Sequence, residues 1–201
     1  MPADPAYIRD FKKYARSDPT IKDLDDLEAE LYGANDRAVA IMLGAFMESA
    51  LTKYLKTRFR QDMNSDERRA IYDYEGPLGT FSAKTSIAYA IHAIGPITRS
   101  DLDHIRIIRN EFAHSRKHMN FSDPETAAVC LHLKTPDLED SKVPVMSLAT
   151  ALEPDWGAYS DLTKPQNRYR SAVHTISHKM LQVRERFEMA NAVAITRSDL
   201  P

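Results

Sequence analysis

Arg109, Asn110 and His114 lie together in one short stretch, IRNEFAH, of this 201-residue chain. A guanidinium can grip a phosphate with two parallel hydrogen bonds and stabilise the charge that develops in phosphoryl transfer. An imidazole moves protons near neutral pH. Together they suffice for metal-independent RNA cleavage, in which a 2′-hydroxyl attacks the adjacent phosphorus. Arg109 would clamp the phosphate, His114 would act as general acid and base, and Asn110 would orient the two. No carboxylate-rich cage is visible, so neither a metal nor another cofactor is expected.

Helix geometry sets a condition on that chemistry. At ~100° per residue, Arg109 and His114 lie ~140° apart and ~7.5 Å along the axis. Asn110 and His114 are true neighbours at i and i+4, with Arg106 one turn before Asn110. Arg109 and His114 therefore converge only if the helix unwinds near Ala113, ahead of the polar run Ser115 to Asn120, or if a second subunit completes the site. A structural role stands beside the catalytic one. Arg109 borders the Ile105/Ile108/Phe112 face and can pair with Glu48, a charge in the middle of an apolar helix, because buried charges persist mainly when paired. Asn110 and His114 would then tie off backbone groups of the following loop.

Three other groups bear on chemistry. Lys84, with Ser82, could hold an anion at a helix N-terminus, or Lys84 could pair with Glu75 or Asp73. His174 and His178 stand at a metal-friendly i and i+4 spacing but have no third ligand nearby in sequence, and an exposed pair is expected. Cys130 has no partner for a disulfide and reads as a small core residue.

The elements that must position these residues are helical throughout. Ser17 or Asp18 before Pro19 opens a short helix that Gly33 closes. Asn35 or Asp36 caps a long helix to about Arg60, whose wide apolar stripe marks it as central and covered on most sides. Asn64 with Glu67 forms a capping box for a helix ending near Tyr74. Ser82 caps a helix to Ile94, with Ile87, Ala90, Ile91 and Ile94 inward and Gly95-Pro96 as its stop. Thr98 with Asp101 opens the helix that carries Arg109 and His114. Asp123-Pro124 opens another, to about Leu133. From 134 to 164 the periodicity dissolves, and a helical turn or short hairpin is expected near Val143 to Leu148. A last helix runs from Pro165 to about Asn191, with Tyr169, Val173, Ile176, Met180, Val183, Phe187 and Ala190 as a heptad seam suited to a bundle or to a homodimer. Met42, Met47 and Met180 read as core. The expectation is an all-α fold: one bundle of six to seven helices over 18–191, an N-terminal arm at 1–17 and a tail at 192–201.

Composition narrows the function. Six glycines in 201 residues, about 3% against a usual ~7%, disfavour Gly-rich phosphate loops and turn-rich β folds. A net charge of −2 and a pI near 6.4 argue against a nucleic-acid coat, whose pI usually exceeds ~9. No helix pair precedes a basic recognition helix, and the basic pairs Arg58/Arg60, Arg68/Arg69, Arg116/Lys117, Arg168/Arg170 and Arg184/Arg186 are scattered. Direct DNA binding is therefore not expected. No apolar run reaches the ~18 residues of a membrane span, and no signal-like apolar region opens the chain. One cysteine fits a reducing, cytoplasmic setting.

GPLGTFSAKTSIAYAI followed by DLDHIRIIRNEFAHS, with the helix DRAVAIMLGAFMESALTKYL before them, resembles the mannitol operon repressor (MtlR) family over about Asn35 to Glu125. Asp36, Arg37, Glu48, Gly79, Phe81, Ser82 and Lys84 follow that family's pattern. The IRNEFAH core is also similar to the HEPN superfamily of helical bundles, whose Arg-polar-x-x-x-His motif marks its ribonuclease members. It maps onto Arg109, Asn110 and His114. The resemblance implies a regulator that acts through a protein partner. The alternative it implies is a metal-independent endoribonuclease, or an inactive RNA-binding relative.

Overall fold

The computed structural model describes residues 5–15, 17–73, 75–138 and 161–198. Among them are eight α-helices and no strand: α1 (Ala6–Ala15), α2 (Ile21–Glu30), α3 (Asp36–Lys56), α4 (Ser65–Tyr72), α5 (Phe81–Ala90), α6 (Pro96–His114), α7 (Pro124–Leu131) and α8 (Pro165–Ser198), with a 3₁₀ turn at Thr135–Asp137. The all-α bundle expected from the sequence is the observed fold. α1 is an addition, a helix inside the expected arm that leaves Tyr7 and Phe11 exposed. α8 continues to Ser198, through most of the expected tail. The turn or hairpin expected near Val143 to Leu148 lies outside the described residues.

α3 is the axle, packed chiefly on α8 and α6 and then on α5. By length and mean hydropathy (1.3) it qualifies to cross a membrane, although no uninterrupted apolar run in the sequence does. Here its apolar surface is covered by protein: Val39, Leu43, Met47, Leu51 and Leu55 are fully buried. The heptad residues Tyr169, Val173, Ile176 and Met180 of α8 close this same core, so that half of the seam is used within the chain. Phe121 links them, its ring 5.1 Å from Phe112 and 5.2 Å from Tyr169. Each such aromatic pair adds roughly 0.5–1.5 kcal/mol beyond area burial. The Tyr169 hydroxyl donates to Ala40 O at 2.9 Å, so the core ring leaves no unpaired polar tip.

Helix starts follow cap chemistry, in places with a different residue in the role. The Asn64–Glu67 capping box forms as expected, and Asn35 caps α3. α2 is capped by Thr20 in a box with Asp23, two residues after the expected start. α5 is capped by Thr80, and Ser82 sits inside its first turn. α5 stops at Ala90, short of the expected Ile94, and Ala90 and Ile91, like Met42 on α3, are exposed instead of buried. Pro96 opens α6, where a proline costs nothing because the first N–H has no helical partner. Asp101, expected with Thr98 to open that helix, is fully buried one turn further in. Its carboxylate accepts from Lys134 N (3.0 Å) and Thr135 N (2.6 Å). Gly33, at φ 68°, closes the α2 turn in the left-handed conformation glycine tolerates.

Candidate functional site

The cluster around Arg109 is built where α3 crosses α6. A Cβ at Gly44 would lie 2.6 Å from Arg109 Cβ, so only glycine allows the two backbones this near. Arg109 Nη2 donates to Glu48 Oε2 at 3.2 Å and Nη1 to Asn110 Oδ1 at 2.8 Å. Lys84 Nζ, arriving from α5, donates to Glu48 Oε1 at 2.8 Å. One carboxylate thus holds two cations, one on each oxygen, with Lys84 itself 7% exposed. Lys84 turns neither to Glu75 nor to Asp73, and its ammonium faces Glu48 inside the bundle rather than an anion at the α5 N-terminus. Ser82 stays exposed, with its hydroxyl 3.3 Å from that of Thr80.

α6 remains α-helical through His114 and turns extended only at Ser115 (ψ 133°), whose N–H still bonds Glu111 O at 2.9 Å. No unwinding occurs near Ala113. The regular helix therefore keeps Arg109 and His114 ~140° apart. Arg109 is directed at Glu48 and His114 is exposed. Asn110 accompanies Arg109.

The loop after His114 is held by two residues at the start of α3. Arg37 donates from Nη1 to Ser115 O (3.0 Å) and from Nη2 to Lys117 O (2.7 Å). Asp36 accepts from Phe121 N (2.7 Å) and from Gln166 Nε2 (2.8 Å). Asp36 and Arg37 thus fix the exit of α6 against α3 and α8. In sequence Asp36 read as a possible cap and Arg37 stood out only through the family resemblance, because their loop partners lie some 80 residues downstream. Gly76 packs onto the end of α4, where a Cβ would meet Ala70 O and Ile71 O at 2.6 Å.

The second polar centre joins α2 to α8. Glu28 and Arg170 form a buried ion pair, and Arg170 Nη2 also donates to Leu31 O at 2.6 Å. Burial outweighs the arginine and pushes Glu28 up to about 7. His174 and His178 stack with ring centroids 6.0 Å apart, and His174 Nε2 lies 3.8 Å from Asp25 Oδ1. This pair is half-buried, not exposed as the sequence suggested. Burial first, then the neighbouring His178, hold His174 below its ordinary value while Asp25 pulls the other way. Among the described residues no three His, Cys, Asp or Glu side chains form a metal-binding group. Cys130 is fully buried, and burial pushes its thiol up to about 12, which makes it inert core.

No protein-family model matches the chain and no curated protein matches it. Among solved structures it is similar to the X-ray structure of the MtlR–HPr complex from Escherichia coli. The TM-score is 0.51 at 21% identity, covering 79% of this chain and 93% of that one. The likeness is one of fold, and the chain has an MtlR-like fold.

Proposed function

We propose that this protein is a regulator that works by binding a protein partner, with HPr or a protein like it as the first candidate, and without touching DNA itself. The observation that carries this reading is the state of Arg109. Its guanidinium bonds Glu48 and Asn110, ~140° around α6 from His114 and ~7.5 Å along the axis. In that position it serves the packing of α3 on α6. The fold shared with a protein solved in complex with HPr supports the same reading. The near-neutral charge and the scattered basic residues support action through a partner over contact with DNA. A cytoplasmic setting and a domain spanning 18–191 belong to the proposal.

The test is titration of the purified full chain with HPr from the same cell, followed by calorimetry and size-exclusion chromatography. A saturable complex supports the reading. Its absence, together with a salt-sensitive gel shift on DNA, overturns it.

A second reading keeps Arg109, Asn110 and His114 as a ribonuclease site completed between two copies of the chain, through α8 or another face. The exposure of His114 favours it, because an exposed imidazole is free to meet a phosphate held by another subunit. It requires RNA cleavage indifferent to EDTA and lost in both Arg109→Ala and His114→Ala while the fold persists. Intact RNA after incubation with wild type removes it.

A further inference from the structure

A cleft of about 230 Å³ opens between the end of α3, the α5–α6 link, the Thr135 turn and α8. None of Glu48, Lys84 and Arg109 lines it. Its walls are largely apolar, with Ile176, Met180 and Val183 on α8 facing Ile94.

Two polar features meet at this hydrocarbon pocket. Lys179 lines it and makes no ion pair among the described residues. The 19-residue helix α6 begins on it at Gly95, which offers no side-chain cap. The N–H groups of that first turn, with the positive end of the helix dipole, favour an anion there. The nearby carboxylates do not compete for the lysine. Asp101 is taken up by the N–H groups of Lys134 and Thr135, and Asp137 by Arg168.

We propose that this cleft binds a small amphipathic carboxylate. The hydrocarbon body packs on Ile176, Met180 and Val183. The carboxylate sits between Lys179 and the start of α6. One lysine among apolar walls suits a singly charged carboxylate better than a phosphate. A cavity of about 150 Å³ holds benzene, so this volume suits a ring carrying a short chain. The inference is independent of the partner-binding reading.

The probe is 3-phenylpropanoate, titrated into the full chain labelled at isoleucine and methionine methyl groups and followed by NMR, with 3-phenylpropan-1-ol as the neutral control. A ligand of this size in a good site binds at about millimolar. The expected result is saturable shifts at Ile176 and Met180, with the alcohol at least about tenfold weaker. Lys179→Met weakens the carboxylate about tenfold and leaves the alcohol unchanged. Val183→Trp, at an exposed rim position, blocks both ligands without altering methyl signals elsewhere. No saturable shift up to about 20 mM, equal binding of acid and alcohol, or indifference to Lys179→Met each overturns the proposal.

Discussion

Gly44 lies so near Arg109 that a Cβ added to it would stand 2.6 Å from Arg109 Cβ, 2.7 Å from its Cγ and 3.1 Å from the Tyr169 hydroxyl. The crossing of α3 and α6 is therefore set by the lack of a single carbon. On helix propensity alone, Gly44→Ala would gain up to about 1 kcal/mol. Here the obstruction is the root of a side chain on a packed helix, which cannot swing aside. A net loss of about 1–3 kcal/mol is expected, as for overpacked cores. It is read as a melting temperature lower by several degrees. A higher melting temperature would mean that α6 shifts freely on α3.

Glu48 holds Lys84 and Arg109 on opposite oxygens, and the two cations differ in what they do without it. Arg109 is 30% exposed by side chain and has Asn110 as a second partner, whereas Lys84 is 8% exposed. Glu48→Gln should therefore cost about 2–4 kcal/mol in urea denaturation, because it strands a buried ammonium. Lys84→Met should cost less, because Glu48 keeps Arg109 and the methionine fills the same space. Equal losses would refute this ordering.

His174 gives stability a pH dependence of known sign. Its folded value lies below the ordinary 6.5, so the folded state disfavours its protonation. The stability this contributes is complete above 6.5 and is lost as pH falls through the depressed folded value. Glu28 acts in the opposite sense. Raised from about 4.5 to about 7, it favours the fold at low pH and loses that contribution as pH rises through about 7. Both proteins in a comparison of wild type with His174→Asn carry Glu28, so its effect cancels. The variant should gain on wild type as pH is lowered from about 7 to about 5, measured by urea midpoints. Parallel curves would show that His174 does not contribute.

Local order was legible in the sequence wherever one chain segment contained the whole cause. The Asn64–Glu67 box and the closing Gly33 needed no distant partner. Where two cap-forming residues stood close together, as with Thr80 and Ser82, the choice fell to the one that lets Phe81 turn inward, and that depends on the neighbouring helices. Glu48–Arg109 was readable as a pairing because Glu48 was a charge in the middle of an apolar helix and Arg109 bordered an apolar face. The Lys84 contact was not, since Glu75 and Asp73 were nearer along the chain and α5 turns away from them. The apolar stripes of α3 and α5 were read too wide, at Met42 on the first and at Ala90 and Ile91 on the second. The α8 heptad was a true signal, but its first half answers to α3 in the same chain. Asp101 could not be read at all, because its partners arrive only when the chain returns at Lys134.

Asp36 and Arg37 act on one loop through different groups, and hydrogen exchange can separate them. Asp36 receives the N–H of Phe121, whose ring is wedged between Phe112 and Tyr169. Arg37 binds the carbonyls of Ser115 and Lys117. Asp36→Ala leaves that N–H without its acceptor and removes a charge-assisted bond of about 1.5–3 kcal/mol. It should speed exchange of the Phe121 amide about tenfold or more and lower global stability, since Gln166 on α8 also loses its partner. Arg37→Ala frees only the exposed part of the loop. It should raise exchange over 115–118 with little change in the urea midpoint, because loops open locally at energies well below global unfolding. If Arg37→Ala instead raises exchange equally across α3 and α8, the arginine supports the whole bundle, and the loop is not a separately anchored unit.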